Sequence, residues 1–238
     1  MIDALDIYNR LIWLFVLIIT VFLLLLCFLF LAMRAAQERE SQSNDFSHKV
    51  IEGLETERRR ISRELHDSVL PQVKDSHLYN LIRVICMDLM PPDFKQFPLI
   101  AFLEELCDKF SKKTGIECVC SIEEGIEFSK FDANNQLHLY RMVQEIFTNI
   151  EKHSGANKTS LVIRKIIHGS YENILICISD DGRGMNYPLP KTSLGIRSLQ
   201  QRAVIIGAKI EFISESGNGL MVRIEIPIPL NLQALCIS

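Results

Sequence analysis

The sequence predicts an α+β fold: an α/β sandwich whose antiparallel or mixed sheet is covered on one face by helices, preceded by one transmembrane helix and a dimerising helical segment. Three observations support this prediction: an uncharged apolar run, a charge-rich stretch with a narrow apolar seam, and several strands beside amphipathic helices. The predicted parts are a short segment at 1–10, a membrane span at 11–33, a helical hairpin at 34–92, and a sandwich domain at 98–230 with its core at 132–230.

Composition excludes several classes of protein. The chain of 238 residues can hold one or two domains, and a net charge of −3 without a basic run argues against nucleic-acid binding. Its seven cysteines are irregularly spaced, which fits a reducing cytoplasm and not a disulfide framework. Cys118 and Cys120 share one face of a strand, where core packing is favoured over a metal pair.

The apolar run 11–33 predicts a membrane span. At ~1.5 Å per residue a helix of this length reaches ~35 Å, more than the ~30 Å hydrocarbon core of a bilayer. The run lacks the short core and the small-residue cleavage site of a signal peptide. Arg10 precedes it and Arg34 and Arg39 follow, so the excess of positive charge places the N-terminus outside and the rest of the chain in the cytoplasm.

The stretch 35–70 is charged and predicts a helix with a narrow apolar seam. Such a seam on a helix leaving a membrane favours a parallel dimer over a solvated single helix. The seam residues, which recur at +7, +4 and +4, are Leu54, Ile61, Leu65 and Val69.

His66 on this helix is a candidate nucleophile. It is rotated by about 100° from Leu65 and therefore faces solvent. An imidazole can attack phosphorus when one ring nitrogen is unprotonated and the other is held, and the adjacent Asp67 can hold it. The alternative is an ordinary surface histidine beside an acid. Pro71 ends or kinks the helix near Leu70.

The remaining periodicity predicts three further helices before the first glycine-rich stretch, one helix after it, and five strands. The helices are expected at 78–89, 99–113, 132–153 and 195–206, and the strands at 116–122, 160–167, 173–179, 209–214 and 221–226.

The helix around 139–156 combines an apolar stripe with an adjacent polar face. A carboxylate, an amide and two basic groups beside a buried stripe are typical of a wall of a polyphosphate site, although an ordinary amphipathic helix is the alternative. The stripe is Leu139, Met142, Val143, Ile146 and Ile150, and the polar face is Glu145, Asn149, Lys152 and His153.

Two glycine-rich stretches favour the polyphosphate site. The first, DDGRG, begins at Asp180 at the end of a strand, where glycines let a flat ring approach the backbone. At the second, Gly195 begins a helix whose free N–H groups and dipole favour an anion.

Residues 132–230 resemble the ATP-binding domain of the GHKL superfamily, specifically that of bacterial sensor histidine kinases. RMVQEIFTNIEKHSGA resembles its N-box, DDGRGM its first glycine box, and LGIRSLQQRAVIIGA with SGNG its second. ERRRISRELHDSV resembles the phosphoacceptor segment of the subfamily that includes nitrate/nitrite sensors and membrane-fluidity sensors.

The resemblance implies a role for each matching residue. His66 is the phosphoacceptor, assisted by Asp67 and Glu64, and residues 185–194 are a short lid. Asn149 binds Mg²⁺ on the ATP phosphates, and Glu145 supports the transfer. The other residues expected at the nucleotide are Lys152 and His153 near the phosphates, Asp180 at the adenine amino group, Gly182 and Gly184 around the base, and Gly195 at the start of the phosphate-facing helix.

Three departures from the family pattern accompany these matches. Pro71 occupies the position where the family has a glutamine linked to phosphatase activity, and Gln72 lies one residue late. Leu220 replaces the threonine that usually ends the second glycine box. Only twenty-four residues separate His66 from Met90, so the helical hairpin on which a receiver domain docks is short.

The sequence is therefore interpreted as a dimeric, single-pass histidine kinase of a cell inner membrane, with ATP and Mg²⁺ as its nucleotide and metal. The expected partners are a second copy of the chain, a response-regulator receiver domain that accepts phosphate on Asp, and a membrane lipid or membrane protein as the stimulus. The alternatives are a degenerate, non-catalytic membrane scaffold and a GHKL serine kinase that acts on a regulatory protein.

Overall fold

The computed structural model describes residues 2–168, 171–184, 194–214 and 217–228, and the chain divides into two compact units between Lys49 and Val50. The first unit is part of helix α1 (Ile2–Glu64). Within α1, Leu11–Ala35 is long and apolar enough to cross a membrane, with a mean hydropathy of 3.4. None of this segment's most apolar window is buried within the protein, as expected for a helix whose surroundings are lipid.

The second unit begins with the end of α1 and a returning helix. A π-helical turn (Leu65–Val69) and a 3₁₀ turn (Leu70–Gln72) follow α1, so the predicted break near Pro71 is confirmed. Helix α2 (Ser76–Leu89) then runs back, and its first turn is capped by the Asp75 carboxylate, which accepts from the Leu78 N–H at 2.8 Å. The buried Ser62 hydroxyl donates to the Cys86 carbonyl at 2.9 Å and joins the two arms.

The sandwich domain has three helices over one sheet. The helices are α3 (Leu99–Thr114), α4 (Ala133–Asn149), which continues as a π-helical turn (Ile150–Ser154), and α5 (Leu194–Ile205). Asp132 caps α4 by accepting from the Asn135 N–H at 2.7 Å. Each helix predicted in this domain is present, with ends that differ by one residue except where α4 becomes π-helical.

The sheet has five strands in the order β1-β2-β3-β5-β4. Strand β1 pairs in parallel with β2, and the other three pairings are antiparallel, so the sheet is mixed. All five strands were predicted, and they extend at most two residues beyond the predicted bounds. They are β1 (Glu117–Ile122), β2 (Lys158–His168), β3 (Tyr171–Asp180), β4 (Lys209–Ser214) and β5 (Leu220–Pro227).

One continuous core lies between the sheet and the helices. The whole apolar stripe of α4 is buried, and it meets the inward-facing residues of the three central strands. Residues on the other face of these strands alternate with the buried ones and remain partly accessible. These inward residues are Leu161 and Ile163 on β2, Ile174, Ile176 and Ile178 on β3, and Val222, Ile224 and Ile226 on β5. Cys118 and Cys120 are half-buried against the same core.

Candidate functional site

A cavity of about 440 Å³ opens between the sheet and the C-terminal end of α4. Its size falls within the usual range for small-molecule sites, and its walls are mostly apolar with a few polar groups. Its described lining consists of Ile146, Asn149, Ile150, His153, Ser154, Ile178, Asp180, Arg183, Gly184, Ile196, Leu199, Phe212, Leu220 and Val222.

Asp180 supplies a carboxylate among these apolar walls. Its Oδ1 accepts from the Gly182 N–H at 2.9 Å, and the backbone N–H of Leu220 is a second donor. Burial raises the pKa of Asp180, and the two backbone hydrogen bonds offset only part of that rise. A flat, apolar ligand with an exposed N–H donor fits this arrangement, because the carboxylate retains lone pairs for it.

The turn after Asp180 is fixed by backbone contacts from two other loops. The Arg183 N–H donates to the Ser154 carbonyl at 3.0 Å, and the Gly217 N–H donates to the Arg183 carbonyl at 3.0 Å. A side chain at Gly219 would collide with the backbone carbonyl of Asp180, and the residue has a φ of +76°. Glycine is therefore required at position 219, where the loop between β4 and β5 crosses the end of β3.

At the other side of the cavity, the first turn of α5 lies against the polar face of α4. A Cβ at Gly195 would lie 2.5 Å from Glu145 Oε1 and 3.5 Å from both side-chain atoms of Asn149. The structure thus brings the predicted polar face of α4, with its carboxylate and amide, next to the helix N-terminus that was predicted at Gly195. The free N–H groups of that terminus favour an anion, and the amide oxygen of Asn149 can bind a hard cation.

The π-helical turn after Asn149 changes which basic residue reaches the cavity. Lys152 and His153 are both exposed, and of the two the described cavity wall includes His153 but not Lys152. The sequence predicts a regular helix over 132–153, whereas the structure has a π-helical turn from Ile150 to Ser154. A π turn holds more residues than an α turn, so the side chains beyond Asn149 rotate away from the regular positions.

His66 and Asp67 lie on the π-helical turn that follows α1, with 67% and 71% of their side chains exposed. His66 Nδ1 and Asp67 Oδ1 are 2.9 Å apart. The predicted exposure of His66 is thus confirmed. Glu64 is exposed and forms an ion pair with Arg60. The described wall of the cavity does not include His66.

Some residues of this region were missed by sequence reasoning. Asp181 Oδ1 accepts from the N–H groups of Asn157 and Lys158 at 2.8 and 2.9 Å, which joins the start of β2 to the end of β3. Phe212 contributes a ring to the cavity wall from β4. Asp181 could have been found from the paired acids in DDGRG, whereas nothing local marks Phe212. Of the lid predicted at 185–194, residues 185–193 lie outside the described part of the chain.

Residues 134–230 match the family model described as histidine kinase-, DNA gyrase B-, and HSP90-like ATPase. A match to this ATPase family implies ATP binding. The region covers the cavity with both glycine-rich stretches, but neither His66 nor the apolar N-terminal helix.

Two relatives match over a longer part of the chain. The sensor histidine kinase LiaS of Bacillus subtilis is 29% identical over 206 residues, which are 74% of this chain and 55% of that protein. The sensor protein VraS of Staphylococcus saprophyticus is 29% identical over 219 residues, which are 79% of this chain and 59% of that protein. The chain therefore spans between 55% and 59% of the length of these relatives.

Among solved structures, the histidine kinase domain of a blue-light activated kinase from Erythrobacter litoralis gives a TM-score of 0.49 at 19% identity, covering 77% of this chain and 98% of that one. The five-stranded mixed sheet with its helices, together with the family match of residues 134–230, identifies the fold. Residues 134–230 are an α+β ATPase domain of the type shared by histidine kinases, DNA gyrase B and HSP90.

Proposed function

We propose that this protein is a membrane sensor histidine kinase, of the subfamily that includes nitrate/nitrite and membrane-fluidity sensors. It transfers the γ-phosphoryl group of ATP to His66 and then to an aspartate of a response-regulator receiver domain. The observation that carries the proposal is an exposed His66–Asp67 pair on a helical segment ahead of an ATPase-type domain with a formed cavity. The similarity to a sensor histidine kinase and a sensor protein supports it.

The His66–Asp67 contact supports Nε2 of His66 as the reacting nitrogen in this proposal. A carboxylate can only accept, so His66 Nδ1 donates across the 2.9 Å contact. In neutral imidazole Nε2 then carries the lone pair, and it is this atom that attacks phosphorus while the bond to the ADP oxygen breaks. The ring becomes cationic as the N–P bond forms, and Asp67 stabilises that charge through the Nδ1 proton.

The two sides of the cavity match the two parts of ATP. Asp180 would accept from the adenine amino group, and Gly182 and Gly184 would leave room for the flat base. On the opposite side, the N–H groups at Gly195 would donate to phosphate oxygens, with Glu145 beside the site of transfer.

Asn149, at the end of α4, lies beside the start of α5, and this position fits a magnesium ion bound to the phosphates. Asn149 would bind the ion, and the ion would neutralise part of the phosphate charge during phosphoryl transfer. His153 would approach the phosphates from the cavity wall, and Lys152 would do so only if its exposed side chain folds back over the site.

The second copy of the chain is proposed to pack on apolar residues that one chain leaves uncovered. Leu54 and Val69 of the predicted seam are 55% and 39% exposed, and α2 adds an exposed stripe at helical spacing. This α2 stripe is Leu78, Leu81 and Ile85. A homodimer would bury these surfaces, and Leu11–Ala35 would anchor it as a single-pass protein of the inner membrane with its N-terminus outside.

The stimulus is proposed to be a membrane lipid or a membrane partner protein, because the apolar helix Leu11–Ala35 would be in direct contact with both inside the bilayer. The receiver domain would dock on the short hairpin between α1 and α2. Near that hairpin Pro71 occupies the position of the glutamine that is linked to phosphatase activity, and Gln72 instead donates to the Ser68 carbonyl at 2.7 Å. We therefore propose kinase activity, and not phosphatase activity, as the main function.

A degenerate membrane scaffold is the second candidate, favoured by the short hairpin and by Leu220. Incubation of the full chain in lipid nanodiscs with labelled ATP discriminates the two. We expect protein-bound label that is lost in acid and stable in alkali, as phosphohistidine is. Alkali-labile label would indicate a serine kinase, and absence of label despite bound ATP would indicate the scaffold.

The first glycine of α5 provides a prediction about Glu145. Gly195→Ala is expected to slow autophosphorylation by about 10²-fold, within the range of general-base contributions, because the new Cβ displaces the Glu145 carboxylate. The thermal midpoint should not fall, since alanine favours a helix more than glycine does. Gly53→Ala, whose Cβ meets nothing within 4 Å, is the matched control. If Gly195→Ala is fully active, Glu145 does not take part in phosphoryl transfer.

Leu220 provides a prediction about the binding of the adenine base of ATP. Leu220→Thr is expected to tighten ATP binding by ~0.5–1.5 kcal/mol, roughly two- to twelve-fold, because it restores a polar partner beside Asp180. Nucleotide titration by calorimetry measures the change. Val222→Thr, in the same cavity wall, is the control and should not tighten binding. Weaker binding to Leu220→Thr would mean that the leucine packs directly against the base.

A further inference from the structure

One carboxylate outside the ATPase-family region is buried between two arginines. Glu55 is 5% exposed, and each of its oxygens has its own partner. Oε1 accepts from Arg202 Nη2 at 2.7 Å, and Oε2 accepts from Arg141 Nε at 3.2 Å. Both guanidinium groups are buried as well. Charged groups are rarely buried to this extent unless they are paired.

The two arginines belong to the two helices that meet at the nucleotide cavity. Arg141 lies about two turns before Asn149 on α4, and Arg202 lies about two turns after Gly195 on α5. The contact at Gly195 joins these helices at one end, and Glu55 joins them at the other. The end of α1 is thereby tied to both walls of the cavity through a single side chain.

Arg141 donates to the neighbouring Gln144 side chain at 2.8 Å, and further hydrogen bonds of the arginines extend the contact to the hairpin. Arg141 also donates to the carbonyls of Asp88 and Leu89, at 3.1 and 3.0 Å, where α2 ends. Arg202 donates to His138 Nδ1 at 3.0 Å. These acceptors are neutral, so Glu55 is the charged hydrogen-bond acceptor at this contact, and Glu145 acts on Arg202 only through its charge. Burial raises the pKa of Glu55, but the two guanidinium charges outweigh that effect and the pKa lies below its ordinary value.

Glu55 lies on a different face of α1 from the predicted dimer seam. Ile51, Glu55 and Ser62 are all buried and lie within about 40° of one another around the helix. Leu54, on the seam side, is exposed. The ATPase domain and the seam can therefore use separate faces of the same helical segment.

While Glu55 binds Arg141 and Arg202, the nucleotide cavity is not placed to transfer phosphate to His66 of the same chain. His66 follows Glu55 by eleven residues, its imidazole is exposed, and the described cavity wall contains no residue before Ile146. The ATPase domain must therefore move, relative to the helix that holds it, before its nucleotide reaches a phosphoacceptor of this chain.

We propose that Glu55 is a latch: its contact with Arg141 and Arg202 holds the ATPase domain in a resting position on residues 50–64, and withdrawal of the carboxylate frees the domain for phosphotransfer. This inference rests on the proposed kinase function. A turn or shift of residues 50–64 would withdraw Glu55 from both arginines together. The two guanidinium groups would then keep only neutral hydrogen-bond acceptors at this contact, and their hydration would be more favourable than their burial, so the domain separates.

The test uses Glu55→Gln in the full chain in nanodiscs, with Glu52→Gln as the control because Glu52 is an exposed acid on the same helix. We expect Glu55→Gln to raise the autophosphorylation rate roughly fivefold or more, the lower end of typical coupling factors. Affinity for ATP should stay within about twofold, because the variant leaves the cavity lining unchanged. Glu52→Gln should behave as the parent.

Hydrogen exchange provides a readout that does not depend on phosphotransfer. Amide exchange across residues 50–62 should be faster in Glu55→Gln than in the parent and in Glu52→Gln. If Glu55→Gln folds poorly, Glu55→Asp tests the proposal in its place, because aspartate keeps the charge but is one methylene too short to reach both arginines. It should give a smaller increase in rate.

The outcomes separate the latch from the kinase function. Unchanged or slower labelling of Glu55→Gln, in a protein that binds ATP normally, overturns the latch. Absence of acid-labile label in the parent and in every variant overturns the kinase proposal instead, and the exchange measurement then still reports whether Glu55 holds the domain.

Discussion

Replacing His66 by glutamine is expected to eliminate acid-labile label from the protein while leaving ATP binding and dimerisation intact. Glutamine keeps the approximate size and hydrogen-bonding capacity of the side chain but lacks the nucleophilic ring nitrogen. The side chain of His66 is 67% exposed, so the effect of the change should be confined to chemistry. Labelling with ATP, nucleotide titration and sedimentation measure the three properties separately.

Two further variants sharpen this test. Asp67→Asn should slow labelling without abolishing it, by about 10²–10⁴-fold if the carboxylate acts as general-base catalysts do. His77→Gln removes another exposed histidine from α2 and should label as the parent does. The buried His138, which accepts from Arg202, cannot substitute for His66. Label that persists in His66→Gln would exclude the histidine-kinase mechanism and leave an ATPase domain of other function.

Asn149→Asp is expected to abolish autophosphorylation with the fold intact. The change replaces an amide by a carboxylate beside Glu145, at the point where α5 begins and phosphates would bind. The added negative charge repels phosphate oxygens and alters the coordination proposed for Mg²⁺. Labelling and a magnesium-dependent nucleotide titration measure the loss, and circular dichroism checks the fold.

The matched control for this variant is Asn134→Asp, in the first turn of the same helix, where a negative charge is favourable. It should retain full activity and stability. If Asn149→Asp is labelled as well as the parent, the placement of the metal and phosphates in this cavity is wrong, although the ATPase fold would be unaffected.

The secondary structure was predictable because its signals are local. The buried stripe of α4 follows from a period of 3.6 residues, and the strands follow from alternation and flanking glycines. The solvent-facing position of His66 needed only its rotation from Leu65. The motifs around Asn149 and Asp180 likewise indicated a cavity from residues close together in the chain, and the structure places both in one lining.

The turn beyond Asn149 was less predictable. Whether a helix continues regularly or inserts an extra residue depends on packing at its end, here on Ser154, whose hydroxyl binds the Ile150 carbonyl and the Ala156 N–H. That local change determines that His153 lines the cavity and Lys152 does not. The parallel pairing of β1 with β2 was also open, because parallel strands are joined by a crossover and not by a recognisable turn.

The sequence by itself determined the helices, the strands, the apolar N-terminal segment and the candidate nucleophile, since each depends on neighbours within a few residues. Only the tertiary structure decided the environment of Glu55, which in the sequence is one acid among many on a charged helix. Its two arginines are 86 and 147 residues away, and no periodicity links positions so distant. A buried charge is recognisable only when the fold has brought its partners around it.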